Sequence, residues 1–158
     1  MSKFRAKQVP IILNDREKTD VRTQFAALCY RVVDGKVKVL LITSRRTGRW
    51  IIPKGWPVDG KTPIESALTE AWEEAGVEGR VSGDCLGLFS YQKNIEDADE
   101  LPCVAMVYPL KVKTLAANYP EKGQRKRRWM SPKKAAEKVD EPELARILKN
   151  FDPERLRG

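Results

Sequence analysis

The most constraining feature of the sequence is a helix with both of its ends marked. Thr62 is a good N-cap, Pro63 fits the first helical position, and Glu65 stands three residues after the cap, as in a capping box. Gly76 supplies the left-handed residue that commonly ends a helix. The sequence therefore predicts a helix over residues 63–75.

This helix is predicted to separate acidic from apolar side chains. Glu70, Glu73 and Glu74 stand three or four residues apart or side by side, so they project near one edge of the helix. Apolar residues recur at helical spacing on the other side, where we expect a core: Ile64, Ala67, Leu68, Ala71 and Ala75. The clustered acids repel one another, and a hard cation such as Mg²⁺ or Mn²⁺ reverses that repulsion. The simpler alternative is a solvated acidic face.

Length and composition favour one soluble domain. The chain has 158 residues, enough for one domain with a full core and too few for two ordinary ones. It is 41% hydrophobic and 33% charged, and no apolar run approaches the roughly 18 residues of a membrane span. The N-terminal residues lack the apolar core of a signal peptide, which favours the cytoplasm. We expect no membrane partner and either a monomer or a homodimer.

The cysteines and the absence of histidine narrow the chemistry. The chain has an odd number of cysteines, and each lies in an apolar stretch of sequence: Cys29, Cys85 and Cys103. This pattern predicts buried free thiols in a reducing compartment. Because the chain has no histidine, a His-based triad, a histidine metal site and a histidine general base are excluded. Acid–base chemistry must use carboxylates, Lys, Tyr or metal-bound water.

Strands are predicted on both sides of the helix. Before it, the runs QFAALCYRVV and VKVLLIT flank Asp34-Gly35, a strong hairpin signal, and a short strand follows over residues 50–52. After it, Gly79 and Gly83 mark turns, and CLGLFSYQ and LPCVAMVYPL predict a second hairpin. The tip of that hairpin is acidic, and one of its four acids could join the site as a metal ligand or general base: Glu96, Asp97, Asp99 or Glu100.

Two basic clusters point to an anionic ligand, as does the net charge of +8. Ser44, Arg45, Arg46 and Arg49 precede the glycine loop, where they form phosphate contacts or a solvated turn. In QRKRRWM, strand alternation places Lys126 and Arg128 on one face, and a nucleic-acid patch is the alternative. Two helices are predicted next, over 132–139 and 142–150.

The stretch from Gly55 to Val77 resembles the Nudix box. The residues in register are Gly55, Glu70, Ala71, Glu73, Glu74, Gly76 and Val77. Lys61 and Thr69 depart from the pattern, which has Glu and Arg at those positions. In the family those two positions pair structurally, so the departures imply a lost salt bridge rather than a lost metal ligand. The resemblance implies that Glu70, Glu73 and Glu74 bind Mg²⁺ or Mn²⁺, and that Glu73 or Glu74 also orients or deprotonates the attacking water.

Beyond the box, the chain is similar to diphosphoinositol polyphosphate phosphohydrolases and diadenosine polyphosphate hydrolases over about residues 22–150. AALCYR, SRRTGRWIIPKG, LGLFSYQ and RKRRW carry this similarity. It implies an α/β (α+β) Nudix fold, with a mixed β-sheet sandwiched between α-helices. The phosphate-binding residues implied by the resemblance and by the glycine loop are Arg22, Ser44, Arg45, Lys54, Gly55 and Lys126. Lys54-Gly55-Trp56 departs from the three-glycine turn of some members.

The expected activity is hydrolysis of a diphosphate linkage in a polyphosphate-bearing small molecule. Residues 21–151 form the predicted domain, between an arm over 1–20 and a tail over 152–158. Alternatives are a pyrophosphohydrolase acting on ADP-ribose, nucleoside triphosphates or RNA 5′ ends, and a non-catalytic module that senses a nucleotide or inositol phosphate. An RNA-binding role would use QRKRRW with a steep salt dependence. We do not expect nucleic acid to be the partner.

Overall fold

The computed structural model describes residues 22–93 and 101–156. Its strands are β1 (Arg22–Val33), β2 (Lys36–Thr43), β3 (Trp50–Ile51), β4 (Lys54–Gly55), β5 (Val77–Val81), β6 (Gly87–Lys93), β7 (Leu101–Leu115) and β8 (Arg127–Met130). Its helices are α1 (Pro63–Ala75), α2 (Pro132–Lys138) and α3 (Pro142–Lys149), followed by a 3₁₀ turn at Pro153–Arg155.

All of these strands join one mixed sheet in which β1 and β7 are central. β1 pairs in parallel with β7 from Arg22–Cys103 to Tyr30–Lys111. β1 also pairs antiparallel with β2 and β4, while β7 pairs antiparallel with β6 and β5. β3 and β8 flank β2. Both hairpins expected from the sequence are therefore confirmed.

Alternate residues of β1 enter two different cores. Ala26, Leu28 and Tyr30 pack with the apolar residues of α2 and α3, among them Ala135, Leu144 and Leu148. Phe25, Ala27 and Cys29 pack with Ala67, Ala71 and Ala75 of α1. A strand covered on both faces must be apolar throughout, which explains the continuous run FAALCY. The sheet lies between α1 on one face and α2 and α3 on the other, so the predicted sandwich is confirmed.

Helix α1 begins and ends where the sequence predicts. The Thr62 hydroxyl accepts a hydrogen bond from the Glu65 amide, and the Glu65 carboxylate accepts one from the Thr62 amide. At the other end Gly76 has φ = 68° and donates its N–H to Trp72 O at 2.9 Å. The last turn is also held from outside, because Arg127 donates from Nη1 to Ala75 O at 2.9 Å. Residues 132 and 142 begin α2 and α3 as expected, each with a proline in the first turn.

Three details of the sequence interpretation are wrong. Ile64 is 39% exposed instead of packing on the core, because it lies in the first turn of α1, before the buried residues of the helix begin at Ser66. Glu74 is buried, with only 8% exposure, instead of facing out with the other acids. Gly79 does not mark a turn: it lies within β5, at a break in the register with β7. A Cβ at Gly79 would stand 2.0 Å from Lys111 O, so close backbone approach explains this glycine.

Within the described ranges, no helix has the length and apolar character needed to cross a membrane. In the same ranges Cys29, Cys85 and Cys103 form no disulfide bond: Cys29 and Cys103 are buried, and Cys85 is half-buried.

Replacing Gly76 with Ala should destabilise the fold more than the same change at Gly60. Both glycines have a left-handed backbone, with φ of 68° and 77°, which costs alanine about 1–2 kcal/mol. A Cβ at Gly60 meets nothing within 4 Å, whereas at Gly76 it would stand 2.6 Å from the Tyr119 ring, adding about 1–3 kcal/mol of overpacking. Urea unfolding of both variants measures the difference, and equal losses would contradict this account of the helix end.

Candidate active site

The carboxylate of Glu74 is the best-anchored acid of α1. Its Oε1 accepts a hydrogen bond of 3.2 Å from the Lys54 backbone amide, and its Oε2 lies 3.6 Å from Nη2 of Arg125. Both charged side chains are nearly buried, with 10% and 7% exposure for Glu74 and Arg125. Burial raises the pKa of Glu74 to about 7, although the positive charges of Arg125 and Lys54 oppose that rise.

Glu70 lies one helical turn before Glu74, and its negative charge contributes to the raised pKa of Glu74. Partial burial raises the pKa of Glu70, and the nearby charges of Glu73 and Glu121 add to the effect. Glu70 also covers Gly55, where a Cβ would stand 2.1 Å from Oε1 of Glu70. The Glu70 carboxylate therefore packs directly on the Gly55 backbone, and a side chain at position 55 would displace the carboxylate.

Glu73 faces the segment that leads into β8. Its backbone oxygen accepts a hydrogen bond of 3.0 Å from the Glu121 amide. Glu121 in turn places Oε1 3.0 Å from Nε of Arg125 and 4.0 Å from Nη1 of Arg45. A fourth acid thus stands near the three of α1, between two arginines.

The donor set of α1 fits a hard divalent cation. Glu70 and Glu74 are adjacent carboxyls in a partly desolvated site, and Glu73 projects from the same turn, so oxygen ligands are concentrated where like charges repel. Within residues 22–93 and 101–156, no three acidic or cysteine side chains already lie close enough together to coordinate a metal ion. A cation that bound here would gather the acids that now repel one another.

The basic loop between β2 and β3 is folded on itself. Ser44 and Thr47 share a hydrogen bond of 2.6 Å between their hydroxyl groups, and the Arg49 amide donates to Ser44 Oγ at 3.1 Å. Arg45 projects from this loop and donates from Nη1 to Gln124 Oε1 at 3.1 Å, which keeps its guanidinium near Glu121. Ser44 therefore shapes the loop, and Arg45 is its cation that reaches toward the acidic helix.

A cleft of about 620 Å³ opens between this loop, α1 and the start of α3. Its basic lining residues are Arg45, Arg46, Arg49, Lys54 and Arg125, and its acidic ones are Glu74, Asp140 and Glu141. Arg49 is paired across the cleft with Asp140 at 3.2 Å and Glu141 at 3.3 Å. The cleft suits an anionic ligand that reaches from the arginines to the Glu74 carboxylate.

Four of the predicted site residues line the cleft: Ser44, Arg45, Lys54 and Glu74. Glu70 lies against Gly55, and neither of these two residues lines the cleft. Glu73 lies on the adjoining turn of α1, Arg22 begins β1 opposite Cys103, and Lys126 is exposed just before β8. The ligand and substrate roles of all of these residues stay predictions. The acids at 96, 97, 99 and 100 lie outside the described residues.

The sequence interpretation missed the cleft residues Gln24 and Tyr91, and it missed Glu121, which contacts two arginines of the cleft. The Tyr91 hydroxyl donates a short hydrogen bond to Oε1 of Gln24, and Lys54 Nζ lies 4.9 Å from the Tyr91 ring centroid. Gln24 is 1% exposed, and a glutamine that opens a buried apolar strand is a usable signal for a polar site. Nothing in the weakly patterned stretch around Glu121 marks it.

Comparison with known proteins places this geometry in context. The family model for the NUDIX domain matches residues 22–151. Nudix hydrolase 13, mitochondrial, of Arabidopsis thaliana is 34% identical over 109 residues, which are 66% of this chain and 54% of that protein. Diphosphoinositol polyphosphate phosphohydrolase 2 of Homo sapiens is 36% identical over 92 residues, which are 58% of this chain and 48% of that protein. The chain thus spans about half the length of these two relatives.

A solved structure of Ap4A hydrolase from C. elegans superposes on the chain with a TM-score of 0.58 and 20% identity. The match covers 82% of this chain and 94% of that one. At this identity the likeness shows a shared fold.

The buried Glu74 carboxyl should make the metal-free protein less stable as the pH rises. The pKa of Glu74 is about 7 in the folded state and exceeds the ordinary value of 4.5. The stabilising contribution of the protonated Glu74 to the free energy of unfolding is therefore complete below pH 4.5 and is lost as the pH rises through 7. We expect the melting temperature in EDTA to fall more between pH 4.5 and 7.5 in the wild type than in Glu74→Gln, which cannot titrate there. Mg²⁺ at pH 7.5 should raise the melting temperature of the wild type more than that of the variant. Identical pH slopes in the two proteins would contradict the burial of this charge.

Proposed function

The chain belongs to the NUDIX domain family, and from this premise we propose that it is a divalent-metal-dependent hydrolase that cleaves a diphosphate linkage in a phosphate-rich small molecule. The proposed substrates are diadenosine polyphosphates and diphosphoinositol polyphosphates. The observation that carries the proposal is the buried carboxyl of Glu74, one helical turn after Glu70, at the wall of a cleft edged by arginines.

Glu70, Glu73 and Glu74 are the proposed ligands of Mg²⁺ or Mn²⁺. When bound, such a cation supplies charge neutralisation on the diphosphate and a more acidic water for attack on phosphorus. Glu74 is held by Lys54 N–H and Arg125, so its carboxylate is fixed toward the cleft before substrate arrives. Glu73 and Glu74 are the two candidates for orienting the water or taking its proton.

The basic wall of the cleft is proposed to hold the phosphates. Arg45 offers a planar fork of donors suited to phosphate oxygens, and its side chain is 57% exposed. Ser44 and Lys54 line the same cleft as Arg45, and we propose that they contact further phosphates, together with the Gly55 backbone, Arg22 and Lys126. Such contacts stabilise charge that builds up on the phosphate oxygens during displacement.

The relatives support the substrate class. Two of the similar proteins are named for diphosphoinositol polyphosphate and for Ap4A, and both of these compounds contain a diphosphate linkage. Because the chain spans about half of the similar phosphohydrolase, the preference between these compounds belongs to the proposal. We propose a cytoplasmic location and a monomer or homodimer. One similar protein carries the word mitochondrial in its name, so the location needs its own test by fractionation.

Replacing Glu73 or Glu74 with Gln should lower turnover by at least about two orders of magnitude, as expected when a metal ligand or base is lost. Phosphate release is measured at saturating Mg²⁺ over a panel of diadenosine polyphosphates, inositol pyrophosphates, ADP-ribose and capped RNA. Glu65→Gln is the matched control on the same helix, because a glutamine at this position still completes a capping box. Wild-type rates in both site variants would disprove the assignment, and the panel itself identifies the preferred substrate.

Removing a phosphate-binding cation should weaken several substrates alike. Arg45→Ala and Lys126→Ala should each reduce kcat/KM, with a loss of transition-state stabilisation of roughly 1.5–3 kcal/mol, the contribution of a charge-assisted hydrogen bond. The melting temperature should change little, since exposed cations contribute little to folding. Lys113→Ala, an exposed lysine of β7 outside the cleft lining, is the control. If hydrolysis is unchanged while the salt slope of RNA binding falls by about one per lost contact, the cations serve nucleic acid instead.

A further inference from the structure

Arg125 is the most deeply placed cation of the cleft. Its side chain is 7% exposed, although the run QRKRRW in which it lies has the composition of a solvated basic patch. Its guanidinium makes contacts on three sides, with the Glu121 carboxylate at 3.0 Å from Nε, Thr43 O at 3.2 Å from Nη1, and the Glu74 carboxylate at 3.6 Å from Nη2. A buried guanidinium with these partners is part of the site's framework.

The acid cluster needs a counter-charge that its own helix does not contain. The sequence of α1, PIESALTEAWEEA, has four glutamates and no lysine or arginine. Thr69, at a position where the Nudix box carries arginine, donates its hydroxyl to Glu65 O at 2.9 Å and so serves the helix backbone. Lys61 is exposed, in the turn before the helix. Arg125 approaches the cluster from the segment before β8, 51 residues beyond Glu74 in the sequence.

We propose that Arg125 is the positioning residue of the acid cluster: from outside α1 it holds the Glu74 carboxylate in place. The inference deepens the proposed function and rests on it for the catalytic role of Glu74. The contact itself does not depend on that function. Through Glu121 the same guanidinium also links Glu74 to Arg45, so one side chain connects the acid wall of the cleft to its basic wall.

The shape of the side chain is part of the argument. Arginine presents several N–H donors in a rigid plane, so one residue can reach three acceptors that lie in different directions. Lysine carries the same charge at a single point on a flexible stem and cannot satisfy all three at once. A charge-conserving replacement should therefore recover only part of what arginine provides, and a neutral one should recover less.

Arg127 offers a matched comparison two residues away. It also packs inward beside α1, but its Nη1 donates to the backbone oxygens Ala75 O and Ala116 O, both at 2.9 Å. Its guanidinium also covers the Tyr119 ring, 4.7 Å from the centroid. No carboxylate is recorded among these contacts. Arg127 thus holds the C-terminal end of α1 in place. Its replacement measures how far a loss of helix anchoring alone affects hydrolysis.

The test compares Arg125→Gln, Arg125→Lys and Arg127→Gln in steady-state hydrolysis at saturating Mg²⁺, at a temperature where all are folded. We expect kcat to fall at least tenfold in Arg125→Gln with KM within threefold of the wild type, and to recover partly in Arg125→Lys. Arg127→Gln should lower the melting temperature and leave kcat within threefold. A rise in KM at constant kcat makes Arg125 a phosphate ligand and overturns the inference, as does a kcat loss in Arg127→Gln equal to that in Arg125→Gln.

A second measurement does not use turnover. The melting temperatures of Glu74→Gln, Arg125→Gln and the double variant, taken in EDTA, report whether the two side chains act together. We expect the loss of Arg125 to lower the melting temperature less than half as much when Glu74 is already glutamine. Strictly additive shifts overturn the inference even if the protein is an active hydrolase. If the wild type hydrolyses nothing in the substrate panel, the proposed function fails and so does the catalytic part of this inference, while coupled shifts would still establish the Arg125–Glu74 contact.

Discussion

The structure depends on a buried carboxyl group that has partners on two sides, the side chain of Glu74. Removing an ionised carboxylate from water costs several kcal/mol unless other groups replace the lost solvation. Here the replacements come from two places far apart in the sequence, the backbone amide of Lys54 in β4 and the guanidinium of Arg125 ahead of β8. A helix, a short strand and the approach to another strand therefore meet at one side chain. Glu74, Lys54 and Arg125 all line the cleft, so this meeting point forms part of its wall.

Helix α1 tolerates such an acid because its position is set by other interactions. Its buried stripe consists of Ala67, Ala71 and Ala75, small side chains that let the helix lie close to the sheet. Its first turn is closed by the capping box, and its last carbonyls are bound by Gly76 and by the guanidinium of Arg127. With both ends held, the edge of the helix need not be apolar to keep its place. The polar edge is then available for chemistry, and the cost of burying Glu74 is borne by contacts elsewhere in the domain.

The parts of the fold that the sequence predicts well are those encoded by local rules. The limits of α1 follow from Thr62 and Gly76, and the first hairpin follows from Asp34-Gly35, whose positive φ angles of 52° and 76° match its tight turn. The burial of Glu74 is not encoded locally, because helical spacing gives the face of a side chain but not what folds over it. The role of Arg125 fails to appear for the same reason: alternation in RKRRW separates two faces, and only the tertiary contact shows which face meets an acid. Gly79 was misread because close backbone approach and turn formation both favour glycine.

The net charge of +8 says less about the ligand than the distribution of the arginines does. Several of the cations nearest the acids already have partners, since Arg49 is paired with Asp140 and Glu141, and Arg125 with Glu74 and Glu121. A phosphate that enters the cleft must compete with these carboxylates for each guanidinium, so its gain is the difference between two charge-assisted contacts rather than the whole of one. Exposure separates the cases, because the Arg45 side chain is 57% exposed and that of Arg125 only 7%. The site is therefore better described as exposed cations, Arg45 and Arg46, beside a fixed ion-pair framework than as a uniformly basic surface.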